Sequence, residues 1–158
     1  MSEQHSFVVW AAVETAEGHT DHDGALAAMA LALDVGGGAA IEAGGDQVAA
    51  GFGEASAAAE AAIVGQWNAQ RLDGETPKLR VGVGDSEDSA AALAEAANGN
   101  QILMSAAVDL ATGGMLDARP IGLVTLPGAD ESSQLWLMTD SRPDVDRRPP
   151  RLDHLREQ

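Results

Sequence analysis

The sequence contains no cysteine and no tyrosine. Without cysteine there are no disulfides, no thiolate metal ligands and no cysteine nucleophile. Aromatic residues make up only 3% of the chain, as three Trp and two Phe. The core must therefore come from Ala, Val, Leu, Ile and Met, and each alanine buries little area, so modest stability is expected. Basic residues are also scarce, nine Lys and Arg against 25 Asp and Glu, for a net charge of −16. Such a surface repels a phosphate backbone, so no nucleic acid is expected as a partner. No run approaches the ~18 apolar residues of a membrane span. The first residues, MSEQHSFVVW, lack the basic and long apolar segments of a signal peptide. No membrane association and a cytoplasmic location are expected.

The 158 residues are 45% hydrophobic, enough for one domain with one sizeable core. The charge is unevenly spread. Residues 139–158 carry five Arg against five acidic residues, while residues 1–138 carry four basic and twenty acidic ones. The reading is a folded domain over 1–138 and a Pro- and Arg-rich tail over 139–158, flexible or loosely docked. The acidic excess serves solubility or a salt-rich cytoplasm; a cationic partner is the sharper alternative.

FVVWAAV (7–13) reads as a buried central strand. HTDHDG then offers capping residues for a helix that carries Leu26, Met29, Ala30 and Leu33 and ends at Gly36-Gly37-Gly38. AAIEA and QVAAGF flank Gly44-Gly45-Asp46 as a hairpin. EASAAAEAAIVGQWNAQRL (54–72) is the strongest helix signal, with Ile63 and Trp67 four apart. KLRVGVG (78–84), a helix over 89–97, QILMS (101–105) and a helical turn in AAVDLAT follow. Strands at 118–126 and 133–138 enclose the polar loop PGADESS. The order β, α, β, β, α, β, α, β, α, β, β points to an α+β, ferredoxin-like sandwich. Its sheet would be mostly antiparallel or mixed, with helices packed on one face.

The stretch AGGDQVAAGFGEASAAAEAAIVGQW resembles the metal-binding hairpin and following helix of class III nucleotidyl (adenylate/guanylate) cyclases. Gly45, Asp46, Phe52 and Gln66 stand in the family's order. KLRVGVG, then ALAEAANGNQILMSAAV, then RPIGLVTLPGADESSQLWLM are similar to its later strands, helix and terminal hairpin. There Ile121-Gly122, Leu126, Gly128, Leu135 and Trp136 fall in place. The likeness runs collinearly over about residues 6–138.

That resemblance implies a fixed set of parts. Two aspartates bind metal ions that clamp the attacking and leaving oxygens, a lysine reads the base, and an asparagine and an arginine serve ribose and transition state. Two chains pair head to tail. Carried over residue by residue, the hairpin aspartate is Asp46. The first-strand aspartate falls at Ala12, whose methyl cannot ligate a hard cation. Glu14, two residues on, shares its strand face. The lysine falls at Glu42, a charge reversal. With ALAEA taken as the family's helix, the asparagine and arginine fall near Asp88 and Ala92. Gly84-Asp85-Ser86-Glu87-Asp88 replaces an arm of a dozen or more residues, and the sheet edge and face so exposed would meet another copy or a different protein.

Asp46 has two readings, a turn residue bonded locally or a residual, weak Mg or Mn ligand. His19, Asp21, His22 and Asp23 read as a capped, dipole-matched helix start, or as part of a zinc site if another residue joins them. GGG (36–38) and VGVGDSE lack the Lys-Ser/Thr of a phosphate loop and read as turns. Trp10, Trp67 and Trp136 read as core, and His5 and His154 as idle. No catalytic residues and no resident cofactor are expected. The functional reading is a degenerate, inactive cyclase-homology domain acting as a regulatory or protein-interaction module, with a homodimer or another protein as partner. The alternatives are an active cyclase with a non-standard metal site and a nucleotide-sensing pseudoenzyme.

Overall fold

In the computed structural model, the described residues are 6–13, 23–43, 46–72, 78–140, 145 and 149–150. Seven strands form one sheet: β1 (Phe7–Val13), β2 (Ala39–Ile41), β3 (Gln47–Phe52), β4 (Leu79–Gly84), β5 (Gln101–Met104), β6 (Ala118–Val124) and β7 (Ser133–Met138). The helices are α1 (Asp23–Val35), α2 (Ala55–Gln70), α3 (Glu87–Ala96) and α4 (Ala106–Ala111). The element order and type match the sequence reading. The sheet runs β2-β3-β1-β4-β5-β7-β6. Its first four strands make the ferredoxin-like split βαβ unit. Only β4 and β5 pair in parallel.

β1 is central and antiparallel to both β3 and β4. Both its faces are covered, so its sequence is a continuous apolar run and not an alternation. One face presents Val9, Ala11 and Val13 beside Val81 and Val83 to the first core, which contains Leu26, Met29 and Leu33 of α1, Ala58, Ala62 and Ile63 of α2, and Val108 of α4. The alanines of α2 allow a close approach. A Cβ on Gly65 would lie 2.4 Å from Met29 Sδ on α1. α1 ends as its three glycines require: Gly37 has φ +93, and the Gly37 and Gly38 amides donate to Asp34 and Leu33 carbonyls at 3.0 and 2.9 Å.

One correction concerns the layers: the helices do not share one face. Gly82 faces away from the first core, and a Cβ there would meet Ala90, Leu93 and Ala94 of α3. α3 thus lies on the opposite face, over β1 and β4. A second core forms there around Leu93, Leu103, Val124, Leu135 and Leu137. The physical reason is Gly82: with only Asp85 and Ser86 between β4 and α3 the helix must sit directly on its strand, and the glycine leaves the space for it on this face. The face expected to be left bare by the missing arm is therefore covered over β1 and β4.

β6 lies at the sheet edge, where Pro120 costs no internal ladder bond, and its register shifts between Pro120 and Gly122. Of the tail, Val145 packs against the second core and the Pro149 carbonyl accepts from Asn98 Nδ2 at 3.1 Å. Its other residues beyond Asp140, Pro150 excepted, lie outside the described residues. Among the described residues, no helix is long and apolar enough to cross a membrane.

Candidate functional site

Asp46 lies at the start of β3 and is exposed. Its carbonyl accepts from the Val13 amide at 3.1 Å, which ties the hairpin turn to the end of β1. Beside it is a cleft of about 290 Å³ lined by Trp10, Ala12, Asp46, Gln47, Arg80 and Glu95, among others. Trp10 Nε1 donates to Gln47 Oε1 at 3.1 Å across the β1–β3 pair. The structure therefore brings together Asp46 and Ala12, the two positions the resemblance pairs as metal ligands. One is a carboxylate and the other a methyl group.

The sequence reading missed Arg80. It stands in register with Ala12 across the β1–β4 pair and lines the same cleft. A signal was present: in LRVGVG the apolar residues 79, 81 and 83 alternate with Arg80, Gly82 and Gly84. A lone charge on the glycine face of a central strand has to reach a cleft or a partner. A guanidinium keeps its charge at any accessible pH. Among the described residues, the cleft's charged groups are thus the carboxylates of Asp46 and of Glu95 on α3, with the Arg80 guanidinium among them and a methyl at Ala12. Two divalent cations need clustered oxygen donors, and these residues do not fit them. Among the described residues, no three His, Asp or Glu side chains converge to hold a metal ion.

The other candidates are placed as follows. Glu42 is exposed just beyond β2. Asp88 is exposed in the first turn of α3 and lines a different cleft, of about 590 Å³. Ala92 packs against the second core, so a methyl fills its place as a packing residue. Trp67 is half-buried with the Arg71 guanidinium 5.0 Å from its ring centre. Trp136 packs against the first core. His5, Glu14, His19, Asp21, His22, Gly45 and His154 lie outside the described residues, as does the side chain of Asp23.

α3 carries its own start signal. Ser86 Oγ accepts from the Ser89 amide at 3.1 Å, and Ser89 Oγ accepts from the Ser86 amide at 3.2 Å. This reciprocal capping fixes the helix that walls both clefts. Ser86→Ala is expected to cost about 1 kcal/mol, read as a lower midpoint in urea with an unchanged slope.

No protein-family model matches this sequence, and no curated protein matches it. Solved structures do. An adenylate cyclase from Trypanosoma brucei aligns at a TM-score of 0.77 with 17% identity, over 93% of this chain and 94% of that one. The guanylate cyclase domain of RhGC from Catenaria anguillulae, in complex with GTP, aligns at 0.68 with 14% identity, over 88% and 98%. The fold is that of a nucleotide cyclase domain. The adenylyl cyclase CyaB from P. aeruginosa gives 0.65 with 20% identity, over 89% and 96%. This cyclase-like domain keeps the fold at an identity where side-chain roles are free to diverge, so its chemistry has to be read from its own cleft.

Proposed function

We propose that this chain is a cyclase-fold binding module, regulatory or protein-interacting, that does not cyclise nucleoside triphosphates. The observation that carries the reading is Arg80 facing Ala12 in the cleft beside Asp46. Phosphoryl chemistry with two metals depends on clustered negative charge that holds the cations against the triphosphate. Here a methyl stands at Ala12, and the Arg80 guanidinium lies among the carboxylates of Asp46 and Glu95 that line the cleft. Exposed Glu42 adds a negative charge at the position the resemblance gives to a base-reading lysine, which disfavours an anionic ligand. Ala92 offers no charge for a transition state. With the reaction lost and the scaffold kept, association is the remaining use for the domain, with a second copy or another protein.

The test is direct. Purified protein incubated with ATP or GTP and excess Mn²⁺ is expected to yield no cyclic nucleotide above a protein-free control. Turnover that disappears in Asp46→Ala would overturn the proposal.

A further inference from the structure

The chain beyond β7 returns to the body at two points. Val145 is half-buried and packs against the second core, as Ala92 of α3 and Ile121 of β6 also do. Four residues on, the Pro149 carbonyl accepts from Asn98 Nδ2 at 3.1 Å, a bond between residues 51 apart in the chain. Asn98 stands just beyond the C-terminal end of α3, in a turn that other groups already hold. Its amide donates to Gln101 Oε1 at 2.8 Å, and its carbonyl accepts from the Gln101 amide at 3.1 Å. The turn does not need the Asn98 side chain, which serves the tail.

The chemistry of the tail suits such docking. Pro149 precedes Pro150, and a proline pair is held extended before it binds, so less conformational freedom is lost on docking. Charge agrees. Arg147, Arg148 and Arg151 flank the pair in the sequence. α3 carries Glu87, Asp88 and Glu95 with no basic residue, and its C-terminal end is the negative pole of the helix dipole.

We propose that the face of the second core is a docking surface for an extended segment with one aliphatic anchor and a proline pair four residues later, and that the chain's own tail fills it in cis. Docked there, the tail holds the face closed to any other segment of that kind. The surface is independent of the Asp46 cleft, and its existence does not depend on whether the chain cyclises nucleotides.

A synthetic peptide of residues 141–158, titrated into the full-length Val145→Asp chain and followed by NMR, should bind saturably at one site per chain, because that chain's own tail has lost its anchor. It should bind the unaltered chain at least tenfold more weakly, since the tethered tail competes at an effective concentration in the millimolar range. A peptide carrying Val145→Asp should bind the Val145→Asp chain at least tenfold more weakly than the native peptide does. Asn98→Ala, added to that chain, should weaken the native peptide about threefold. Trypsin gives a readout that needs no variant. It does not cut before proline, so the Arg147–Arg148 bond is its one site between the two anchors. Cleavage there should be at least about tenfold slower in the unaltered chain than in the peptide, because docking has to be undone first. The proposal is overturned if the native peptide fails to saturate the Val145→Asp chain at about 5 mM, or if it binds the unaltered chain as tightly. It is likewise overturned if the bond after Arg147 is cut equally fast in chain and peptide.

Discussion

Mn²⁺ titrated into the unaltered protein will show no saturable binding below about 1 mM, and Ala12→Asp alone will not change this. The new carboxylate will face Arg80 in register, where the guanidinium's fixed charge opposes a divalent cation. Only the double change Ala12→Asp/Arg80→Ala will create a site, at Asp46 and residue 12, with affinity raised about 100-fold. The scale follows from charge. A unit charge and a divalent ion about 6 Å apart repel by on the order of 5 kcal/mol at an effective dielectric of ~20. Asp46 is exposed, so solvent screening reduces this to about 2–3 kcal/mol, roughly two orders of magnitude in affinity. Asp46→Ala in the double variant should abolish the gain. Paramagnetic broadening or calorimetry reads the series. Tight Mn²⁺ binding by the unaltered protein, or by Ala12→Asp alone, would remove Arg80 from the explanation. The double variant is not expected to cyclise nucleotides, because Ala92 and Glu42 remain.

Why the fold was legible and the site only partly so follows from where each signal sits. Element types were written in local chemistry. FVVWAAV is apolar on both faces because β1 is covered on both. Gly36-Gly37-Gly38 closes α1 through two specific amide bonds, and Asn98-Gly99-Asn100 turns with Asn100 at φ +65. Asp46 and Ala12 could be paired in advance only through the resemblance, since one lies in the β2–β3 turn and the other on β1, with α1 between them in the chain. The layer of α3 was not legible, since a helix after a short turn can lie on either face and the deciding residue is Gly82, whose meaning is a space and not a side chain. Arg80 was missed for a related reason. A strand read as apolar absorbs one charged residue unnoticed until its register partner is known.

Gly82→Ala is expected to be among the most damaging single-methyl changes in the chain, costing about 3 kcal/mol. An added Cβ would lie 2.2 Å from the Ala90 carbonyl oxygen, 2.6 Å from the Ala94 amide nitrogen and 2.7 Å from Leu93 Cβ. The first two contacts are main chain within one helix, so no rotamer can relieve them. α3 would have to lift as a body, and with it Leu93, which is fully buried in the second core. Overpacking of this kind costs about 1–3 kcal/mol when side chains can yield, and a rigid helix puts this case at the upper end. For a chain of this size, about 3 kcal/mol lowers the melting temperature by roughly 6–12 °C. Gly65→Ala provides the control. Its shortest contacts are Met29 Sδ and Cε, the far end of a flexible side chain that can swing aside, so it should cost less than half as much. If the two substitutions prove equally harmless in thermal unfolding, α3 is not seated on β4. Both clefts would then lose the wall that defines them, because Ala91, Ala94 and Glu95 face the Asp46 cleft while Asp88 and Ser89 face the other.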